Sequence, residues 1–331
     1  MKIEIPYYED MTRFSNSDIG FFLKNGPKAL KEYKDGTLPG MSASFLEKGT
    51  MIHEYILQPD EFWSDYVILD FKTPTVAKQK EFLETYQKLC EVEPLTLKDT
   101  LKLKAYDTAY SNKKSNETKL KECNELLETY SDYLEYLSKK DTKKIISFAD
   151  LNMLKQIKAN IENHKKANEL LYNLPETFTC DNEFHINWQP KSIDIKCKSL
   201  LDRKCIDTVN KKIILIDLKT TVNVYNFDHS VEEYDYHRQI TYYLMAIYWY
   251  MENVLGISSK ELEEYSVEAY IIAIGKDKNN EIRVFNMLNK KKILEEFDKI
   301  TNAFKEISYH VNSNNWDHTR TYYEGDGIEE L

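Results

Sequence analysis

The run ILIDLKTT, residues 214–221, reads as a buried strand until Asp217 and Lys219 interrupt it. Strand side chains alternate, so Asp217 and Lys219 share a face with Leu215 and Ile213, while Ile214, Ile216 and Leu218 turn to the other face, toward a core. One run earlier, SLLDRKCID carries Asp202. Asn210-Lys211, between the two runs, reads as a tight hairpin turn. Counting back from it brings Asp202 near Asp217, with a bulge able to shift the register. Two carboxylates held together repel unless a cation sits between them. Oxygen ligands point to magnesium or manganese rather than zinc. Such an ion lowers the pKa of a bound water, and Lys219 could stabilise charge on the attacking hydroxide or on a pentacovalent phosphate. Metal, carboxylates and lysine are the minimum set for hydrolysing a phosphodiester. D-x-K alone is a common surface ion-pair pattern, so the assignment depends on what surrounds it.

The surrounding elements follow from periodicity. FSNSDIGFFLKNGPKALKEYKDG predicts a capped helix with Ser15 or Ser17 at its start, closing near Gly26-Pro27. A second helix is expected to start at Ser42 or Ser44 and to run to Pro59, with Phe45, Ile52, Ile56 and Leu57 as its apolar positions. Residues 75–174 are rich in Lys and Glu and carry apolar residues at three/four spacing, which predicts three or more amphipathic helices with a break over 141–147. After Pro175 come three strand-like runs, TCDNEFHINWQ, SIDIKCKSLLDRKCIDTV and KKIILIDLKTT. A long helix follows over SVEEYDYHRQITYYLMAIYWYMENVLG, then strands YSVEAYIIAIGK and NEIRVFNML, and a final helix from Lys290.

Composition narrows the class. Hydrophobic residues make up 42% and charged residues 30% of the 331, as in a folded soluble protein. The start has no apolar core of a signal peptide and no run is long enough to span a membrane, so a cytoplasmic location is expected. Five scattered cysteines without C-x-x-C argue against a disulfide framework and predict buried or half-buried thiols. The net charge of -10 is uneven: residues 183–219 hold eight Lys/Arg against five Asp/Glu, whereas residues 316–331 hold five acids against Arg320. The locally basic middle keeps a nucleic-acid partner open despite the overall sign. Only five of the 45 basic residues are Arg, which makes Arg203 and Arg238 candidates for a planar phosphate contact.

Taken in order, SLLDRKCID, ILIDLKTT and YHRQITYY resemble the PD-(D/E)xK nuclease superfamily, and more narrowly its RecB-like and exodeoxyribonuclease VIII-like branch of phage-type recombination exonucleases. The resemblance covers roughly residues 15–61 and 182–253. It implies that Asp202, Asp217 and Lys219 form the D…DxK set, and that Gln239 and Tyr243, one helical turn apart, form the branch's Q-x-x-x-Y motif near DNA and the catalytic centre. GTMIHEYILQPDEF matches the helix whose His binds metal, which gives that role to His53 beside Asp202, Asp217 and the Leu218 carbonyl. The strand before the first Asp often carries a Glu, here Glu183, which joins Arg203 and Arg238 among the candidate DNA contacts.

The expectation is therefore an α/β, restriction-endonuclease-like core, a mixed central sheet flanked by helices. Residues 1–331 would form a single nuclease domain with a helical insertion at 75–174 and an acidic tail at 313–331. The resemblance implies a magnesium- or manganese-dependent exodeoxyribonuclease resecting DNA ends for recombination, with 5′ to 3′ action on duplex DNA as one form; some relatives carry a cysteine-held iron–sulfur cluster, but the cysteine set of this chain does not suit one, so none is expected. It also implies DNA as partner, a homo-oligomer, and a single-strand annealing or recombination protein as a possible companion. The alternatives are a structure-specific endonuclease and a catalytically silent binding module of the same fold. The tail is read as a solvated terminus, or else as a lure for a basic partner or a DNA mimic.

Overall fold

The computed structural model describes residues 5–38, 47–68, 71–138, 143–325 and 327–328. In chain order its elements are α1 (Asn16–Lys34), α2 (Glu47–Leu57), α3 (Pro59–Asp65), β1 (Tyr66–Ile68), α4 (Ala77–Val92), α5 (Lys98–Ala109), α6 (Asn116–Thr129) and α7 (Ser131–Ser138). There follow β2 (Lys144–Ile146), α8 (Phe148–Asn163), α9 (Lys165–Tyr172), β3 (Thr179–Trp188), β4 (Cys197–Asp207) and β5 (Lys212–Thr221). The chain continues with α10 (Phe227–Glu233), α11 (Tyr236–Asn253), α12 (Ser259–Leu262), β6 (Ser266–Gly275), β7 (Ile282–Asn286), α13 (Lys290–Ser313) and α14 (Arg320–Glu324). The expected start of the second helix at Ser42 or Ser44, and Phe45 within it, lie outside the described residues.

The chain divides into two compact units, residues 1–59 with 154–331 and residues 60–153. The first unit is built on a five-stranded sheet in chain order, β3-β4-β5-β6-β7. β3, β4 and β5 form an antiparallel meander, β5 and β6 are parallel, and β6 and β7 are antiparallel. A parallel pair needs a crossover, and α10 and α11 supply it. A helix, a three-stranded meander, a crossover helix and a parallel fourth strand make up a mixed α/β, restriction-endonuclease-like core.

One sheet face is covered by α1, α11 and α13, which pack on one another. Its core includes Ile19, Leu30, Ile213, Leu215, Tyr242, Ile247, Ile271 and Phe304, each sealed from solvent. In α11 the buried Ile240, Leu244, Ile247 and Met251 recur every three to four residues, which is why this stretch becomes a helix with one face on the sheet. Burying side chains of this size contributes about 1.5–3 kcal/mol each. Ile214, Ile216 and Leu218, on the opposite face, are buried as well. The face that carries Asp217 is therefore the extension of the main helix-covered core, not a solvent face opposite it.

The second unit packs α4–α7 around Phe82, Leu83, Tyr86, Leu101, Ala105, Tyr106, Cys123 and Tyr133. Within it β1 and β2 pair in parallel, where a break between helices is expected from sequence. Its bounds differ from 75–174: α9 packs on β7 and belongs to the first unit.

Several local expectations change for physical reasons. Within α1 the first helical segment closes at Gly26, which leaves helical geometry (φ 80°), as the sequence leads one to expect, and Pro27 starts a second segment that runs to Lys34, since Pro is tolerated in a first turn. Ser15 caps α1 in a capping box with Asp18. The long helix of 230–256 is broken at Asp235, whose φ is 53°. Cys180 and Cys205 form a disulfide, against the expectation of free thiols, because the β3–β4 register places them opposite each other with Cα atoms 4.1 Å apart. Cys123 and Cys197 are buried thiols and Cys90 is half-buried. The described part of the acidic tail folds back instead of standing free: the Trp316 ring lies 5.3 Å from His310, and Arg320 lies 5.3 Å over Tyr309. Among the described residues no helix is long and apolar enough to cross a membrane.

Candidate active site

The site forms where the meander loses its regular pairing. β3 and β4 pair Asn182 with Arg203 and Phe184 with Leu201, yet skip Glu183 and Asp202 without any change of register. β4 and β5 stop at the Arg203–Ile216 pair, one step before Asp202 would meet Asp217. Side-chain alternation breaks at the same level. On β4 the residues in the helix-side core are Cys197 and Leu201 and then Ile206, with Lys204 5.1 Å from the Tyr250 ring of α11. Their parity changes between Leu201 and Lys204. On β3 Phe184, Ile186 and Trp188 belong to that core or pack on it, whereas Asp181 reaches Lys204 at 2.5 Å. Glu183 takes the turn in the chain, with φ 46°, a left-handed conformation that costs a non-glycine residue about 1–2 kcal/mol.

This shared kink gathers polar groups. Ligand atoms of His53, Glu183 and Asp202 all lie within 4.8 Å of one another. His53 arrives on α2, which packs against β4 and β5. Oδ2 of Asp202 accepts a hydrogen bond from the Leu218 amide at 2.7 Å and lies 3.5 Å from Nδ1 of His53. Of the expected ligand set of His53, Asp202, Asp217 and the Leu218 carbonyl, His53 and Asp202 come together in this group. Glu183, read from sequence as a DNA contact, stands with His53 and Asp202, and Leu218 meets Asp202 through its N–H.

Asp217 stands beside that group and is 1% exposed. Lys219 Nζ lies 2.7 Å from its Oδ2. Both Asp217 oxygens are sealed from water, and the Lys219 ammonium is the partner they meet. Burial pushes the Asp217 carboxyl up; Lys219 pulls it down and Asp202 pushes it up again. Glu183 is raised to about 7, first by burial and then by the charges of Asp202, Asp217 and Glu54. Burial works against the Lys219 charge, but Asp217 and Asp202 overcome it and raise its pKa. Three acids pressed together beside one lysine carry an excess of negative charge that a divalent cation would offset. Carboxylates with one imidazole fit magnesium or manganese, the imidazole favouring manganese.

The remaining candidates separate. Gln239 donates to the Tyr243 hydroxyl at 2.9 Å. Tyr243 is buried and its phenol is raised well above its ordinary value by burial and then by the Asp217 charge, so the pair backs the acids. Arg203 donates to the Leu170 carbonyl and to Asn182 Oδ1, tying α9 to the sheet. Arg238 is 7% exposed, bonded to Asn16 and Asp235, and lies so close to Gly20 that a Cβ there would sit 2.5 Å from the guanidinium. Through these bonds each arginine holds a helix in place. Tyr236, not singled out in the sequence, places its ring 5.2 Å from Lys219 Nζ. With 24 tyrosines in the chain, no sequence signal distinguishes it.

No family model and no curated protein matches the chain. Among solved structures, a crystal structure described as a "putative exonuclease" from Eubacterium rectale is similar with a TM-score of 0.49 and 12% identity, over 100% of this chain and 96% of that chain.

Proposed function

We propose that the chain is a metal-dependent deoxyribonuclease that hydrolyses DNA phosphodiester bonds, acting as an exonuclease on DNA ends. The observation that carries this reading is the buried Asp217–Lys219 ion pair beside the His53–Glu183–Asp202 cluster. His53, Glu183 and Asp202 would hold magnesium or manganese, with Asp217 next to them. When bound, the ion would acidify water and offset phosphate charge.

The chain's own groups do the rest. Lys219 supplies a fixed positive charge where negative charge grows on the phosphate. Tyr236 holds the ammonium under its ring, a cation–π contact of about 0.5–2 kcal/mol. The Leu218 N–H fixes the Asp202 carboxylate. Tyr243, locked by Gln239, forms a wall that keeps Asp217 dry.

The test is incubation of linear and closed circular DNA with magnesium or manganese, using wild type, Asp217→Ala and Lys219→Ala. Wild type is expected to degrade linear DNA and spare closed circles, and each variant to lose at least about 100-fold in rate. Equal degradation by all three proteins would refute this site. Cutting of closed circles would make the enzyme an endonuclease.

A further inference from the structure

Tyr8 stands 80% exposed, on a segment that is held firmly. The buried Lys198 donates from Nζ to the carbonyls of Tyr7 and Asp10, at 2.5 and 2.7 Å, so it brackets Tyr8 on both sides. The amides of Glu9 and Asp10 close a turn on the Pro6 carbonyl. Phe14 then pairs with Lys196 and Lys198 at the start of β4. Tyr7 turns inward, its ring edge-on to His185 at 5.3 Å, two residues beyond Glu183 on β3. The Tyr8 ring meets Tyr7 edge-on at 5.1 Å and otherwise faces solvent. Tyr8 is thereby tied through Tyr7 to His185, two residues from Glu183 on β3.

A rigidly mounted, exposed aromatic ring contributes little to folding, but it suits a ligand with a flat apolar face. Acids repel phosphates, so a strand brought to this cluster needs a hold that does not depend on charge. Base stacking on an aromatic ring provides one, and it tolerates any base.

We propose that Tyr8 is a stacking platform for the terminal base of a single-stranded or frayed DNA end, presenting that nucleotide to the acid cluster. This rests on the nuclease reading above and names the form of substrate it takes.

The test uses single-stranded oligonucleotides with 2-aminopurine at one terminus, in calcium without magnesium or manganese, so that binding is read apart from cleavage. Wild type, Tyr8→Phe and Tyr8→Trp are expected to quench the terminal fluorophore. Tyr8→Ala should lose the quenching and bind about tenfold more weakly, with the wild-type circular dichroism spectrum and Tm. An abasic terminal nucleotide should erase the difference between wild type and Tyr8→Ala. Quenching and affinity unchanged in Tyr8→Ala, a difference that survives the abasic end, or absence of binding by every form would each overturn the platform. Tyr8-dependent quenching by a protein that cuts no DNA would support the platform and refute the nuclease reading. Cleavage without Tyr8-dependent quenching would refute the platform alone.

Discussion

The two ends of the β4–β5 hairpin each bury an aspartate, and they treat it in opposite ways. At the turn, Asp207 is 1% exposed and accepts four hydrogen bonds, from Thr177, the Val209 and Asn210 amides and the Asn210 side chain. Burial alone would raise its pKa, but these bonds bring it down to about 2. At the open end, Asp217 is equally buried, and in place of that network it has the Lys219 ammonium at 2.7 Å and the Asp202 charge beside it. The same side chain on the same two strands is a structural clamp in one place and part of a crowded charge cluster in the other. Burial of a carboxylate therefore says little about its role; whether the fold supplies donors does.

The largest expected contrast is between two substitutions. Asp217→Asn should cost at least about 100-fold in DNA cleavage while moving the metal-free Tm little, because burial and the Asp202 charge already disfavour the ionised carboxylate more than Lys219 favours it. Asp207→Asn should do the reverse, lowering Tm by several degrees with cleavage near wild type. Equal Tm losses, measured by thermal denaturation, would erase the distinction. A smaller effect separates the ends by ligand. Manganese at about 100 times its dissociation constant should stabilise wild type and Asp207→Asn by about 2.7 kcal/mol, and Asp202→Ala should lose most of that gain. A manganese shift that survives Asp202→Ala would place the ion elsewhere.

The smallest effect is in acid. The Asp207 pKa is depressed in the fold from the ordinary carboxylate value of about 4, so its contribution is full above that pH and fades as pH falls toward about 2. The stability gap between wild type and Asp207→Asn, read by urea denaturation, should therefore shrink over that window. A gap that widened there would reverse the assignment of Asp207 as a clamp.

Asp202, Asp217 and Lys219 were legible because apolar runs frame them and strand spacing orients them. Their nearness was legible too, from the turn between the two runs, but the exact register was not. A turn centred at Asn210-Lys211 leaves the two acids out of step. The observed loop spans Thr208 to Lys211, with Lys211 at φ 51° and Asp207 paired with Lys212. The centre moves because the Asp207 carboxylate caps the Val209 and Asn210 amides, and this one-residue shift sets Asp202 opposite Asp217. Glu183 and Tyr236 were hidden for another reason. Strict alternation cannot foresee a left-handed residue in a strand, and the broken crossover aims Tyr236 at Lys219 through Asp235. Arg203 and Arg238 drew attention as rare arginines, although each secures a helix.

By itself the sequence determined the strands, the crossover helix and the chemistry-bearing residues on β4 and β5, because apolar periodicity and local turn chemistry act over a few neighbours. Only the tertiary structure decided that Glu183 stands with His53 and Asp202, that Asp217 stays dry against Lys219, and that Tyr8 is held on Tyr7 with its ring in solvent. Those outcomes depend on contacts between residues far apart in the chain, from Lys198 to Tyr7, Asp202 to Leu218 and His53 to Asp202, and no local pattern encodes such distances.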